Sequence, residues 1–108
     1  MPSYYNSEDL PRFGEVGNAS PKLWEEFNKW YGSAMEPGAL DAKTKKLIAF
    51  AVAHAIQCAY CIDAYAAAGA KDGLTPEQMT EAVHVASAIR AGSSLAHNLQ
   101  AINTLKRD

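Results

Sequence analysis

The sequence predicts an all-α helical bundle, a single helical domain behind an irregular N-terminal arm. Three observations carry the helical reading. Apolar residues recur at helical spacing in successive blocks, with proline, glycine and capping residues at the block edges. No stretch has the two-residue period of a half-buried strand, and no internal repeat stands out. Alanines crowd between Ala49 and Ala70, favouring helix and letting helices approach closely.

Taken in order, residues 1–19 are the arm, where Pro2, Pro11, Gly14 and Gly17 break any period. Residues 20–108 are the helical domain. Ser20-Pro21 offers an N-cap with proline at the first helical position, and Leu23, Trp24, Phe27 and Trp30 or Tyr31 follow at helical spacing up to Gly32. Glu36-Pro37-Gly38 is a turn. From Asp41 the chain meets neither Gly nor Pro until Gly69, which predicts one long helix or two meeting end to end. After a loop from Gly69 to Leu74, Thr75-Pro76-Glu77-Gln78 has the form of a capping box. The helix it opens carries Met79, Ala82, Val83, Ala86 and Ile89 on one face and is expected to end near Arg90, before Gly92. Ser93 or Ser94 then caps a last helix through Leu95, Leu99, Ile102 and Leu105.

A chain of 108 residues makes one domain. Its 10 basic and 12 acidic residues nearly cancel, and no basic run is interleaved with aromatics, so nucleic acid is not an expected partner. The polar start lacks the apolar core of a secretory signal and no stretch reaches the length of a membrane span, which makes the cytoplasm the expected compartment and excludes a membrane partner. A long apolar central segment with only modest helices to cover it predicts a homo-oligomer.

Two cysteines three residues apart, Cys58 and Cys61, point to redox or metal chemistry in such a chain. On a continuous helix His54, Cys58, Cys61 and Tyr65 share one stripe, extended backwards by the apolar Phe50 and Leu47. The bland alternative is a core stripe of buried thiols with a hydrogen-bonded histidine and tyrosine. Close spacing favours a redox dithiol instead. In a regular helix the two Cβ atoms stand about 5 to 6 Å apart, whereas a disulfide requires about 3.8 Å. A break just before Cys58 would supply the adjustment and put that cysteine at a helix start, where free amides stabilise a thiolate. Zinc held by the two thiolates with His54 and His84 is the weaker reading, because no second closely spaced ligand pair exists. No metal or other cofactor is expected. His84, on the side of Glu77 and Glu81, reads as solvated or as a site residue; His97 reads as surface; Trp24 and Trp30 read as core or subunit contacts.

The segment from Lys46 through Cys58-Ala-Tyr-Cys61 to Tyr65, with Thr75-Pro-Glu-Gln-Met-Thr-Glu-Ala-Val83 after it, resembles the carboxymuconolactone decarboxylase and alkylhydroperoxidase D family over residues 20 to 105. Phe13-Gly-Glu15 and the Ala-Val-His-Val-Ala run at 82–86 are most similar to its peroxidase-like members associated with arsenosugar biosynthesis. The resemblance implies trimers or hexamers with the C-x-x-C at a helix start near a subunit interface. It also implies a hydroperoxide-reducing cycle in which Cys61 attacks, Cys58 resolves and an external dithiol resets the pair. The family's relay glutamate and histidine are replaced by Lys46 and Tyr65. His54, or else His84 with Glu81, is therefore the candidate base, and Tyr65 a hydrogen-bond donor. The alternatives are a thiol sensor or arsenic-binding scaffold acting on a thiophilic species, and a decarboxylase of muconolactone-like acids.

Overall fold

The computed structural model describes residues 5–107; Met1 to Tyr4 of the expected arm, Pro2 among them, and Asp108 lie outside the described residues. Every regular element among the described residues is helical. A 3-10 helix over Ser7–Gly17 leads into α1 (Pro21–Met35), α2 (Ala42–Ala55), α3 (Ala59–Lys71) and α4 (Pro76–Leu105).

The arm is thus ordered as a 3-10 helix rather than irregular. Positions three apart eclipse in that geometry, so Arg12 meets both Asp9 at 3.1 Å and Glu15 at 2.8 Å. The Arg12 hydrogen bond and charge hold the Glu15 carboxyl below its usual range. Asn6 caps the start, its side chain accepting from Glu8 N–H at 3.0 Å. Phe13 docks the arm edge-on against Trp24, ring centroids 5.0 Å apart. Gly17 is buried on the same tryptophan, where a Cβ would lie 2.8 Å from the Trp24 Cβ and overlap its ring.

Ser20 occupies the N-cap of α1 without a side-chain bond, and the helix runs through Gly32, past its expected end. It stops where Glu36 turns extended ahead of Pro37. Asp41 caps α2 by accepting Thr44 N–H at 2.7 Å, which lowers its pKa. α3 extends to Lys71, beyond Gly69, and closes on a left-handed Gly73 (φ 87°). There Leu74 N–H bonds Gly69 O at 2.9 Å and Gly73 N–H bonds Ala70 O at 3.1 Å. Leu74 folds back over Gly69 and is 6% exposed.

The capping box at Thr75 forms in full: Gln78 N–H donates to Thr75 Oγ1 at 3.1 Å and Thr75 N–H to Gln78 Oε1 at 2.9 Å. The expected break at Gly92 is absent, and α4 is one helix of 30 residues. A glycine ends a helix by turning left-handed, and Gly92 does not; Ser94, instead of capping, donates its hydroxyl to Ala91 O at 2.9 Å within the helix. α2 packs against both α3 and α4 and carries the centre of the core, Phe50 and Ala53, at 8% and 2% exposure. That core is thin. The radius of gyration is 18.2 Å, against roughly 13 Å for a compact domain of this size. No helix among the described residues is long and apolar enough to cross a membrane.

Candidate active site

The break between α2 and α3 is built by two caps sharing one residue. α2 ends as Gln57 takes a left-handed conformation (φ 58°), with Gln57 N–H bonded to His54 O at 3.2 Å and Cys58 N–H to Ala53 O at 2.9 Å. Cys58 is at once the N-cap of α3: its backbone is extended (φ −95°, ψ 98°) and its Sγ accepts Cys61 N–H at 3.2 Å. The continuous-helix alternative therefore does not hold. Cys58 lies outside the helix and Cys61 within its first turn, Cα atoms 5.3 Å apart, and the two are joined as a disulfide.

Both sulfurs' residues line a cavity of about 740 Å³ between the arm, α1 and the first turns of α3. Leu10, Phe13 and Val16 of the arm make its apolar wall, and Tyr31, Tyr60 and Tyr65 supply hydroxyls. The Tyr31 and Tyr65 hydroxyls are hydrogen-bonded to each other. Burial first, and then this bond, push the Tyr65 pKa well up, so its phenol stays protonated. Arg12 also lines the cavity, its charge already taken by Asp9 and Glu15. Tyr5 ties the arm to α3 by donating to Asp63, a bond that pushes the tyrosine pKa up to about 12, and it meets Tyr60 edge-on at 4.8 Å.

A match to the carboxymuconolactone decarboxylase family covers residues 21–104, nearly the whole helical domain. The chain belongs to that family. It is 39% identical over 92 residues to uncharacterized protein 4 in the cox locus of Paracoccus denitrificans, covering 85% of this chain and 83% of that one. An uncharacterized protein of Haemophilus influenzae is 44% identical over 54 residues, half of this chain and 48% of that protein. The fold also matches the crystal structure of an apo carboxymuconolactone decarboxylase family protein from Legionella pneumophila. That match has a TM-score of 0.71 and 32% identity, and it covers 90% of this chain and 88% of that one.

The family comprises both decarboxylases and peroxidases of the alkylhydroperoxidase D type. At the two relay positions of the peroxidases, Tyr65 faces the cavity but Lys46 does not. Lys46 forms an ion pair with Asp72, the C-cap of α3, drawn to that carboxylate at the helix end remote from the cysteines. His54 is half-buried on α2, its Nδ1 bonded to Phe50 O at 2.8 Å and its ring 4.5 Å from that of Phe50. It is not among the cavity-lining residues. His84 and Glu81 are exposed on α4, also outside the lining, and His97 is exposed. Among the described residues no three metal-ligating side chains gather.

Sequence reading missed the arm's part in the cavity, along with Tyr31 and Tyr60. A signal for Tyr31 existed: a tyrosine on an otherwise apolar helical stripe brings a hydroxyl that needs a partner.

Proposed function

We propose that this protein is a dithiol–disulfide oxidoreductase that reduces a hydroperoxide, with Cys58 and Cys61 cycling between dithiol and disulfide. The observation that carries the reading is the disulfide at the start of α3, opening onto a large and mainly apolar cavity. One cysteine, as thiolate, attacks the terminal peroxide oxygen; the O–O bond breaks, the alcohol leaves with a proton, and the sulfur becomes a sulfenic acid. The second sulfur displaces hydroxide, which departs as water, and the disulfide forms. An external dithiol reduces it by two exchanges and is itself oxidised. Family peroxidases attack with the second cysteine and resolve with the first, which carries over to Cys61 and Cys58. That order depends on a relay whose positions hold Lys46 and Tyr65 here. A cytoplasmic setting suits a cycle fed by such a reductant.

The experiment is intact-mass spectrometry of reduced protein after a short exposure to cumene hydroperoxide, with alcohol release measured in parallel. Loss of the mass of two hydrogens, one alcohol per chain, and multiple turnovers once a dithiol is added are expected. An unchanged mass under excess peroxide rejects the reading.

One observation favours a second reading, a sensor or binder of a soft ion such as trivalent arsenic. The Lys46 ammonium is engaged by Asp72 and the Tyr65 hydroxyl by Tyr31, which leaves two adjacent sulfurs without the family's relay. It fits the resemblance to the arsenosugar-associated members. Arsenite binding to the reduced pair, without peroxide turnover, would favour it.

We further propose that the working form is a homo-oligomer, a trimer or hexamer. Val85, Ile89, Leu95 and Leu99 on α4 and Trp30 on α1 are all exposed in the single chain, Trp30 at 72%. A base from His84 with Glu81 would then come from a neighbouring copy.

A further inference from the structure

The two cysteines are not equivalent. Cys58 is the N-cap of α3, and its sulfur accepts the Cys61 amide hydrogen in the place a serine or aspartate oxygen takes in an ordinary cap. Cys61 lies one turn into the helix, and among the described residues no amide donates to its sulfur. An N–H aimed at sulfur, together with the positive end of the helix, favours thiolate over thiol. The extended backbone of Cys58 and the Cys58 N–H bond to Ala53 O hold the Cys58 Cβ at the N-cap position, and neither is part of the disulfide.

The charges around the pair leave that ranking in place. From the arm, Asp9, Arg12 and Glu15 line the cavity as a self-paired trio that offers neither sulfur a private cation. From α1 comes Tyr31 and from α3 Tyr60 and Tyr65, phenols of which the first and last are bonded to each other. From α2, His54 points its Nδ1 at Phe50 O, and Lys46 sits with Asp72 roughly 20 Å away at the far end of α3. The position that carries the relay histidine for the second cysteine in family peroxidases holds a tyrosine that stays protonated.

We infer that Cys58, not Cys61, is the more acidic thiol of the reduced pair and makes the first attack on the peroxide, the reverse of the order carried over from the family. The attack step rests on the peroxidase reading; the ranking of the thiols does not. Cys58 thiolate takes the terminal oxygen as the O–O bond breaks, and the alkoxide recovers, through solvent, the proton Cys58 lost. Cys61 then displaces hydroxide from the Cys58 sulfenic acid, its thiol proton leaving with that hydroxide as water, and the disulfide is restored.

The test begins with the unaltered chain. Reduced protein is treated at pH 6.5 with substoichiometric iodoacetamide and the adduct is located by peptide mass spectrometry. Cys58 is expected to carry about three times as much label as Cys61, because its larger thiolate fraction outweighs the weaker nucleophilicity of a more acidic thiol. Equal labelling, or an excess on Cys61, overturns the inference. Cys58→Ser keeps an N-capping side chain and Cys61→Ser leaves the cap in place, so both suit thiolate titration at 240 nm and dimedone trapping after cumene hydroperoxide. Faster sulfenic acid formation in Cys61→Ser is expected; faster formation in Cys58→Ser overturns the attack order. If neither thiol is oxidised while Cys58 remains the more acidic, the peroxidase reading and the attack step both fall and the ranking of the thiols stands.

Discussion

His54 illustrates how one backbone angle decides what a side chain can do. Four residues before Cys58, it would share the sulfur face of an unbroken helix, but Gln57 at φ 58° ends that helix and restarts the chain in a new direction. The ring instead packs on Phe50 and bonds its carbonyl. His54→Gln is therefore expected to cost about 1 kcal/mol of stability, the usual worth of such a hydrogen bond, while the alkylation rate of the reduced thiols keeps its pH profile. Thermal unfolding and labelling on one preparation check both halves; a drop in labelling rate with unchanged stability would return the histidine to the site. The cysteine pair was legible in the sequence, because spacing and residue type alone carry it. Which histidine, tyrosine or lysine meets the pair was not, since that depends on the direction the chain takes after Gln57. Tyr31 belongs to a helix twenty-seven residues before Cys58, a long-range partner that no local period reports.

At the scale of elements, Asp41 and the Thr75 capping box were dependable signals, whereas Ser94 and the isolated glycines misled. Asp41 and the Thr75–Gln78 box start helices where the sequence places them, because each satisfies particular orphan amides. Thr75→Ala should cost about 1 kcal/mol, since it removes one bond of that box. Equilibrium urea unfolding measures the loss, and Thr75→Ser should recover most of it. Gly32 and Gly92 stay inside helices, a tolerable penalty where a long element continues on both sides. The arm escaped prediction because a 3-10 helix has no 3.6-residue apolar period; its sign was the placement of Asp9, Arg12 and Glu15 at intervals of three.

For the whole molecule, apolar surface outruns the core available to cover it. α4 extends about 45 Å and packs on α2, while Leu95, Leu99 and Leu105 near its C-terminal end remain exposed, Leu105 at 84%. Light scattering at micromolar concentration is expected to give a mass of at least three chains. Replacing Ile89 and Leu99 together with glutamate should lower that mass, because buried charge without a partner is costly in an apolar contact. A stable monomer in the unaltered protein would remove both the assembly and any contribution of His84 and Glu81 across a subunit boundary.

The left-handed Gln57 has a consequence for how sharply the chemistry is tuned. A side chain in that conformation costs about 1 kcal/mol, and glycine would relieve it while giving back a similar amount in the entropy of the unfolded chain. Gln57→Gly should thus barely move the melting temperature. The hinge itself, freed of its Cβ, would let Cys58 wander from the Cys61 amide, and the separation of the two thiol titrations should narrow. Stability and sulfur acidity, which usually change together when a helix is disturbed, would here come apart at a single joint. Glutamine at this place gives the protein no greater endurance; it gives the two sulfurs a fixed bearing.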